Sequence, residues 1–305
     1  MSLKNPFVDA ENHRAVVISR QEREIRSFYE EAYLDTLIKI GNLDRNDTGV
    51  NRIFLNGLKD ELKNKFKSIG ERTEGVIKSG ATSVVERVLE NNKTFLNNMG
   101  FVNYHANPKL VTGMVDYVVT GKLYGGNWSL SSAIWNINDR TMQDINKIVA
   151  RGILDNKSTF DIAKSLEKYL NPSAMRPVIH GVNGVVDYNA QRLARTMIQH
   201  AYQEAFVSAT IDNPFVEAYQ WITSGMPNVC PLCIERADTD QFGLGEGIFP
   251  KDELPLDHPN GNCTFDIVSS WNEDTARQAV FDWAFGDLDD PELSEKLDEF
   301  AETFE

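Results

Sequence analysis

Cysteine is scarce in this chain, with three in 305 residues, all between positions 230 and 263. Three thiols cannot build the paired framework of a small disulfide scaffold. No apolar run approaches the roughly 18 residues of a membrane span. The opening MSLKNPFVDAEN lacks the apolar stretch of a signal peptide. The expectation is therefore a soluble chain, made in a reducing cytoplasm, with no membrane partner. Phosphate loops of the G-x-x-x-x-G-K-[ST] type, G-x-S-x-G elbows and H-E-x-x-H helices are also missing. Their absence removes the commonest signatures of nucleotide, acyl-transfer and metalloprotease chemistry. An excess of positive charge is lacking too, the net charge being −14. From Pro231 onward there are 20 acidic and 4 basic residues, while the first 230 hold 25 acidic and 27 basic. DNA binding driven by a whole-protein positive field is thus not indicated, the acidity belongs to the C-terminal quarter, and a local basic surface on the N-terminal part stays open. Hydrophobic content of 41% is nevertheless enough for a sizeable core.

What the chain does hold is a concentrated set of metal-type donors between Trp221 and Cys263. Cys230 and Cys233 form a C-x2-C pair, 24 residues separate Cys233 from His258, and 4 separate His258 from Cys263. Zinc takes four soft or borderline donors in a tetrahedron, commonly two from one tight turn and two from a distant one. Cys230, Cys233, His258 and Cys263 are the candidate ligands of a structural Zn2+. Pro231 fixes the first turn, where backbone N–H groups can point at sulfur. Glycines 243, 245, 247 and 261 give the intervening loop conformational freedom, and Pro250, Pro255 and Pro259 disfavour helix across it. Such a loop has little core of its own, and metal binding supplies roughly 10–16 kcal/mol in zinc-finger peptides. Two covalent alternatives stand beside this reading: three unrelated free thiols, or a disulfide from Cys230 to Cys233 or Cys263 that leaves one thiol odd.

The text QRLARTMIQHAYQEAF, then Trp221-Ile222-Thr223, then CPLC, then DHPNGNC resembles the C-terminal signature of phage head morphogenesis proteins, the minor head proteins similar to protein F of phage Mu. GKLYGGNWSLSSAIW and INKIVARGILDNKSTFDIAKSLEKYL resemble the helical segment preceding that signature. The likeness spans about residues 120 to 268. In two places the chain departs from the family pattern: Gly261 and Asn262 stand where it has a cysteine and an arginine, and TSGMPNVC lacks its acidic residue. The resemblance implies a non-enzymatic structural protein, few in copy number, at the portal vertex inside the capsid. Its implied partners are the portal protein, scaffold or major capsid protein, and packaged double-stranded DNA, in procapsid assembly and genome packaging or ejection. Two other classes remain open: a zinc-containing HNH-like nuclease or toxin-type enzyme using His258, and a DNA-binding or adaptor module unrelated to virions.

The fold expected is mainly α, with an elongated N-terminal helical region, a helical middle domain and a small zinc-bound loop/β segment near the C-terminus. Residues 1–20 show no period and read as an arm. In the long-helix region 21–115, Ile25, Phe28, Tyr29, Tyr33 and Leu37 make one apolar stripe, and Leu55, Leu58, Leu62, Phe66 and Ile69 make a second. Gly70, Gly75 and Gly80 are expected to bend or break that second helix. The alternating lysines and acids of residues 59–78 read as a solvated, ion-paired face. A helical minor-head core follows over 116–220, in which Leu123, Tyr124, Trp128, Leu130, Ile134 and Trp135 are expected to be core. Ser158 with Asp161 opens a helix that Asn171-Pro172 ends. Arg176, Arg192 and Arg195, near His180 and His200, are the candidates for DNA or partner contact, against capping or pairing with Glu204 and Asp187. Residues 221–270 form the zinc-binding segment, with TFDIV as a strand. Residues 271–305 carry a C-terminal helix and an acidic tail suited to becoming helical on a partner.

Overall fold

The computed structural model describes residues 3, 5–43, 49–101, 108–126, 128–170, 186–225, 227 and 229–304. Among them are nine α-helices and one small sheet, the mainly α architecture expected. The chain forms two compact units. One contains residues 1–17, 81–118 and 198–305, the other 18–80 and 119–197.

In the second unit, α1 (Val8–Gly41) and α2 (Arg52–Asn98) supply the long helices. Ile25, Phe28 and Tyr29 of the predicted α1 stripe are buried, as are Leu55, Leu58, Leu62, Phe66 and Ile69 of α2. Tyr33 and Leu37 are half-buried, and Ala32, Thr36 and Ile40 take the inward positions at that end. The charged face is paired as expected, through Lys65–Asp35 at 2.6 Å, Arg72–Glu31 at 2.8 Å and Lys78–Glu74 at 2.7 Å. Exposed pairs of this kind contribute about 0–1 kcal/mol each, so they keep the face solvated more than they hold the fold. Next come a 3-10 turn at Lys122–Tyr124, α4 (Leu130–Leu154) and α5 (Thr159–Leu170). The Ser158 hydroxyl accepts the Asp161 amide at 3.1 Å, as a helix start there requires, and the Thr159 hydroxyl accepts the Asn51 amide at 2.7 Å. Leu130 and Ile134 are core, but Trp135 on the other side of α4 is 52% exposed, contrary to expectation. The helix end expected at Asn171-Pro172 lies outside the described residues.

The other unit is built on the first turns of α1, the second half of α2, α3 (Pro108–Val119), the C-terminal half of α6 (Val186–Thr210) and everything after it. β1 (Ala218–Ile222) is the centre of a three-stranded antiparallel sheet, flanked by β2 (Ile248–Pro250) and β3 (Thr264–Val268). Trp221 lies opposite Phe265 in the β1–β3 register, and Tyr219 opposite both Phe249 and Ile267. Tyr202, Phe206, Tyr219, Trp221 and Phe265 form a buried aromatic core between α6 and the sheet. α7 (Pro231–Asp238), α8 (Glu273–Phe285) and α9 (Pro291–Glu302) complete this unit.

Several expectations are corrected. Residues 8–20 are helix rather than arm: Phe7, Ala10, Arg14 and Val17 are all buried at helical spacing, and the arginine in that row hides its apolar period. α7 occupies the start of a stretch expected to be loop, and β1 and β2 join the predicted β3. The C-terminal tail folds on its own chain, burying Leu293, Leu297 and Phe300, with Phe300 edge-on to Phe101 at 5.4 Å.

α2 does not break at its glycines. A Cβ on Gly70 would lie 2.6 Å from the Asn138 amide nitrogen, and one on Gly80 would lie 1.7 Å from that of Gln21. These glycines admit neighbouring polar side chains: Asn138 caps the Phe66 carbonyl at 2.9 Å, and Gln21 donates to the carbonyl of Val76. Gly75 faces open space. Gly75→Ala is therefore expected to stabilise the protein by about 1 kcal/mol through helix propensity, and Gly80→Ala to destabilise it by about 1–3 kcal/mol through overpacking. Urea denaturation of the two variants checks this, and equal stabilisation by both would show that Gly80 makes no close approach.

Candidate metal centre

The cluster is assembled by one helix start, one turn and one strand start. Cys230 is the N-cap of α7 in extended conformation (φ −73°, ψ 152°), with Pro231 following as the first helical residue. Its sulfur accepts the Cys233 amide at 3.4 Å, the N–H-to-sulfur arrangement that the C-P-x-C turn predicts. His258 begins a turn closed by the Gly261 amide on the His258 carbonyl at 2.8 Å, with Asn260 left-handed at φ 68°. Cys263 immediately precedes β3, whose pairing with β1 fixes where its sulfur falls.

These elements bring the predicted ligands into two overlapping sets. Ligand atoms of Cys230, Cys233 and His258 lie within 4.8 Å of one another, and so do those of Cys233, Cys263 and Asp257, with Cys233 common to both sets. Metal–sulfur bonds of about 2.3 Å in a tetrahedron put ligand atoms about 3.5–3.8 Å apart, a spacing within the 4.8 Å limit that holds inside each set. The Cys230 sulfur is 3.2 Å from His258 Nε2. Nδ1 of the same ring donates to the Pro259 carbonyl at 3.0 Å. That bond fixes the tautomer and leaves the Nε2 lone pair directed into the cluster, as a metal-ligating histidine requires. The cysteines are free thiols, with Cys233 and Cys263 buried and Cys230 half-buried. The residues fit a small tetrahedral metal site.

Electrostatics agree with the geometry. Burial pushes the Cys233 thiol well up, reinforced by Cys263 and Cys230, and burial likewise raises Cys263. For Cys230, burial is outweighed by the Cys233 amide and by His258, so its thiol is shifted down. Crowded thiols of this kind are costly to ionise without a cation, and a bound metal reverses that penalty.

Asp257 was not anticipated. Its Oδ1 accepts the His258 amide at 2.8 Å, and its Oδ2 accepts the Cys263 amide at 3.2 Å and Gln199 Nε2 at 3.0 Å. The carboxylate thus ties the backbones of His258 and Cys263 together, and one of its oxygens also lies within 4.8 Å of the Cys233 and Cys263 sulfurs. Gly261 packs onto it: a Cβ there would come within 2.2 Å of both oxygens, so only glycine leaves the carboxylate in place. Behind Asp257, α6 presents a polar stripe. Gln199 also donates to the Cys263 carbonyl at 2.7 Å, His200 to the Asp257 carbonyl at 2.9 Å, and Gln203 to the Pro255 carbonyl at 2.8 Å while accepting the Asp257 amide at 2.9 Å. Burial holds the His200 imidazole toward its neutral form. Arg14, also buried, donates to Gln199 and, at 3.2 Å, to the Cys263 carbonyl. Trp221, whose indole N–H makes no ordinary hydrogen bond, favours the Cys263 thiolate. Gln199 and Gln203, four apart and so on one side of α6, are a signal the sequence offers; Arg14, more than 200 positions from the cysteines, gives none.

Of the candidate contact arginines, Arg192 and Arg195 are described and are not part of this cluster. Arg176 and His180 lie outside the described residues. Arg192 is exposed on α6, and Arg195 pairs with Glu22.

Metal analysis separates ligands from supports. Protein purified without chelator should carry about one equivalent of metal, and Cys233→Ala should carry almost none. Asp257→Asn should keep its metal while losing about 1–3 kcal/mol, because an amide NH2 would face backbone donors. Loss of metal in Asp257→Asn with retention in Cys233→Ala would reassign the site.

Compared with protein-family models, with curated proteins and with solved structures, the chain matches none.

Proposed function

We propose that the cluster holds a structural zinc ion and that the chain is a minor head protein of a tailed phage, acting at the portal vertex during head assembly. Three thiols and an imidazole are a donor set suited to zinc, and bound zinc would supply cross-linking rather than turnover chemistry. The observation that carries the non-catalytic reading is the state of His258, whose two ring nitrogens are both engaged, Nε2 toward Cys230 and Nδ1 on the Pro259 carbonyl. No nitrogen is left to serve as general base for a nuclease. Four protein donors also leave no position for water, the feature that separates structural from catalytic zinc sites. The phage assignment rests on the order of α6, Trp221, the C-x2-C pair, His258-Pro259 and Cys263, the order of the minor head signature. On this reading the portal protein is the main partner, and scaffold or major capsid protein and packaged DNA are further contacts. Arg176, Arg192 and Arg195 are the residues proposed for DNA or partner contact, and the working location is the capsid interior near the portal.

Co-sedimentation of the zinc-loaded protein with portal oligomers and procapsids of the same phage tests this. Retention of a few copies per particle, with no nicking of supercoiled plasmid, is expected. Metal-dependent nicking abolished by His258→Ala, with no retention on portal or procapsid, would replace the assembly reading with the nuclease.

A further inference from the structure

α8 turns Ala276, Ala279 and Val280 inward and leaves Phe281 and Phe285 in solvent, 57% and 68% exposed. One helical turn apart, the two rings lie against each other, tilted by 39° with centroids at 4.5 Å, forming a single aromatic patch. Isolated exposed apolar residues are ordinary, but adjoining aromatic rings are the kind of surface that anchors partners.

Arg277 lies one turn before Phe281 on α8, and the chain that follows the patch is acidic. Between Arg277 and Lys296 the chain has six carboxylates and no basic side chain. Those two flanking cations are engaged, Arg277 with Glu273 and the Asn98 carbonyl, Lys296 with Glu292. The patch also sits at the C-terminal end of α8, which stops at Gly286 in left-handed conformation and has no basic residue in its last turn. Helix C-termini carry partial negative charge and favour cations. Here Asp282 lies in that turn and Asp287 just beyond it, so α8 itself places no cation at its end.

We infer that the Phe281–Phe285 face of α8 is a docking surface for a lysine- or arginine-rich amphipathic helix of another protein. Charge complementarity selects that occupant. A second copy of this chain would bring the same acidic face and be repelled, and nucleic acid or an anionic membrane would be repelled likewise. A cationic helix with apolar residues at i and i+3 or i+4 covers the two rings, places its flanking charges over the carboxylates and satisfies the helix end. This inference stands on α8 alone and does not require the phage reading or the metal.

The test uses the full-length protein with two labelled helical peptides of the same apolar pattern, one Lys/Leu and one Glu/Leu, followed by fluorescence anisotropy. The Lys/Leu peptide should bind and weaken as salt rises, and the Glu/Leu peptide should not bind. The double variant Phe281→Ser/Phe285→Ser, which alters exposed positions and should melt with the parent, is expected to lose about tenfold or more in affinity. Unchanged affinity in the double variant, equal binding of the acidic peptide, or self-association of the parent that the double variant abolishes would each overturn the proposal.

Discussion

Cys263 is the residue on which the C-terminal half depends. Its sulfur belongs to the metal cluster, its amide donates to Asp257, its carbonyl accepts from both Gln199 and Arg14, and the next residue starts β3. Each of these ties is replaceable on its own, but they share one backbone position. The sheet, the polar stripe of α6 and the start of α1 therefore hold the same atom group in place. Buried polar networks of this kind stabilise only when nearly every member is satisfied. Asp257 meets that demand by accepting three N–H donors, and Gly261 by offering no side chain to displace it.

The cluster of Cys230, Cys233, His258 and Cys263 is legible in sequence because thiols are rare in this chain and sit at a metal spacing, so each residue announces its chemistry regardless of fold. Their supports were not, for a physical reason. Asp257, Gln199, Gln203 and Arg14 act through hydrogen bonds to backbone, and a backbone partner leaves no trace in the sequence. Arg14 is the extreme case: among apolar residues of a buried helix face it looks like an interruption, and so the first turns of α1 read as an unstructured arm. The chemistry of a metal site is written in residue types, whereas its preorganisation is written in topology.

The helices followed the same division. Apolar stripes in α1 and α2 were found because burial repeats every three to four residues. The glycines of α2 were misread because propensity speaks of a helix in isolation, while Gly70 and Gly80 are small to admit Asn138 and Gln21. α7 was missed because the prolines that disfavour helix lie downstream of it, and Pro231 itself favours a helix start. β1 carries only five residues, and its strand character comes from pairing on both sides with β2 and β3. The acidic C-terminus reads as a solvating tail by charge, yet Leu293, Leu297 and Phe300 supply enough apolar surface to pack α9 on its own chain.

The proposed role is a passive cross-link, in which a bound metal would join α7, the His258 turn and the start of β3. X-ray absorption at the zinc edge on the native protein tests that claim most directly. It should show one zinc with three sulfur neighbours at about 2.3 Å and one nitrogen at about 2.0 Å. An oxygen ligand in place of any of the four, or no bound ion at all, would contradict the closed structural site.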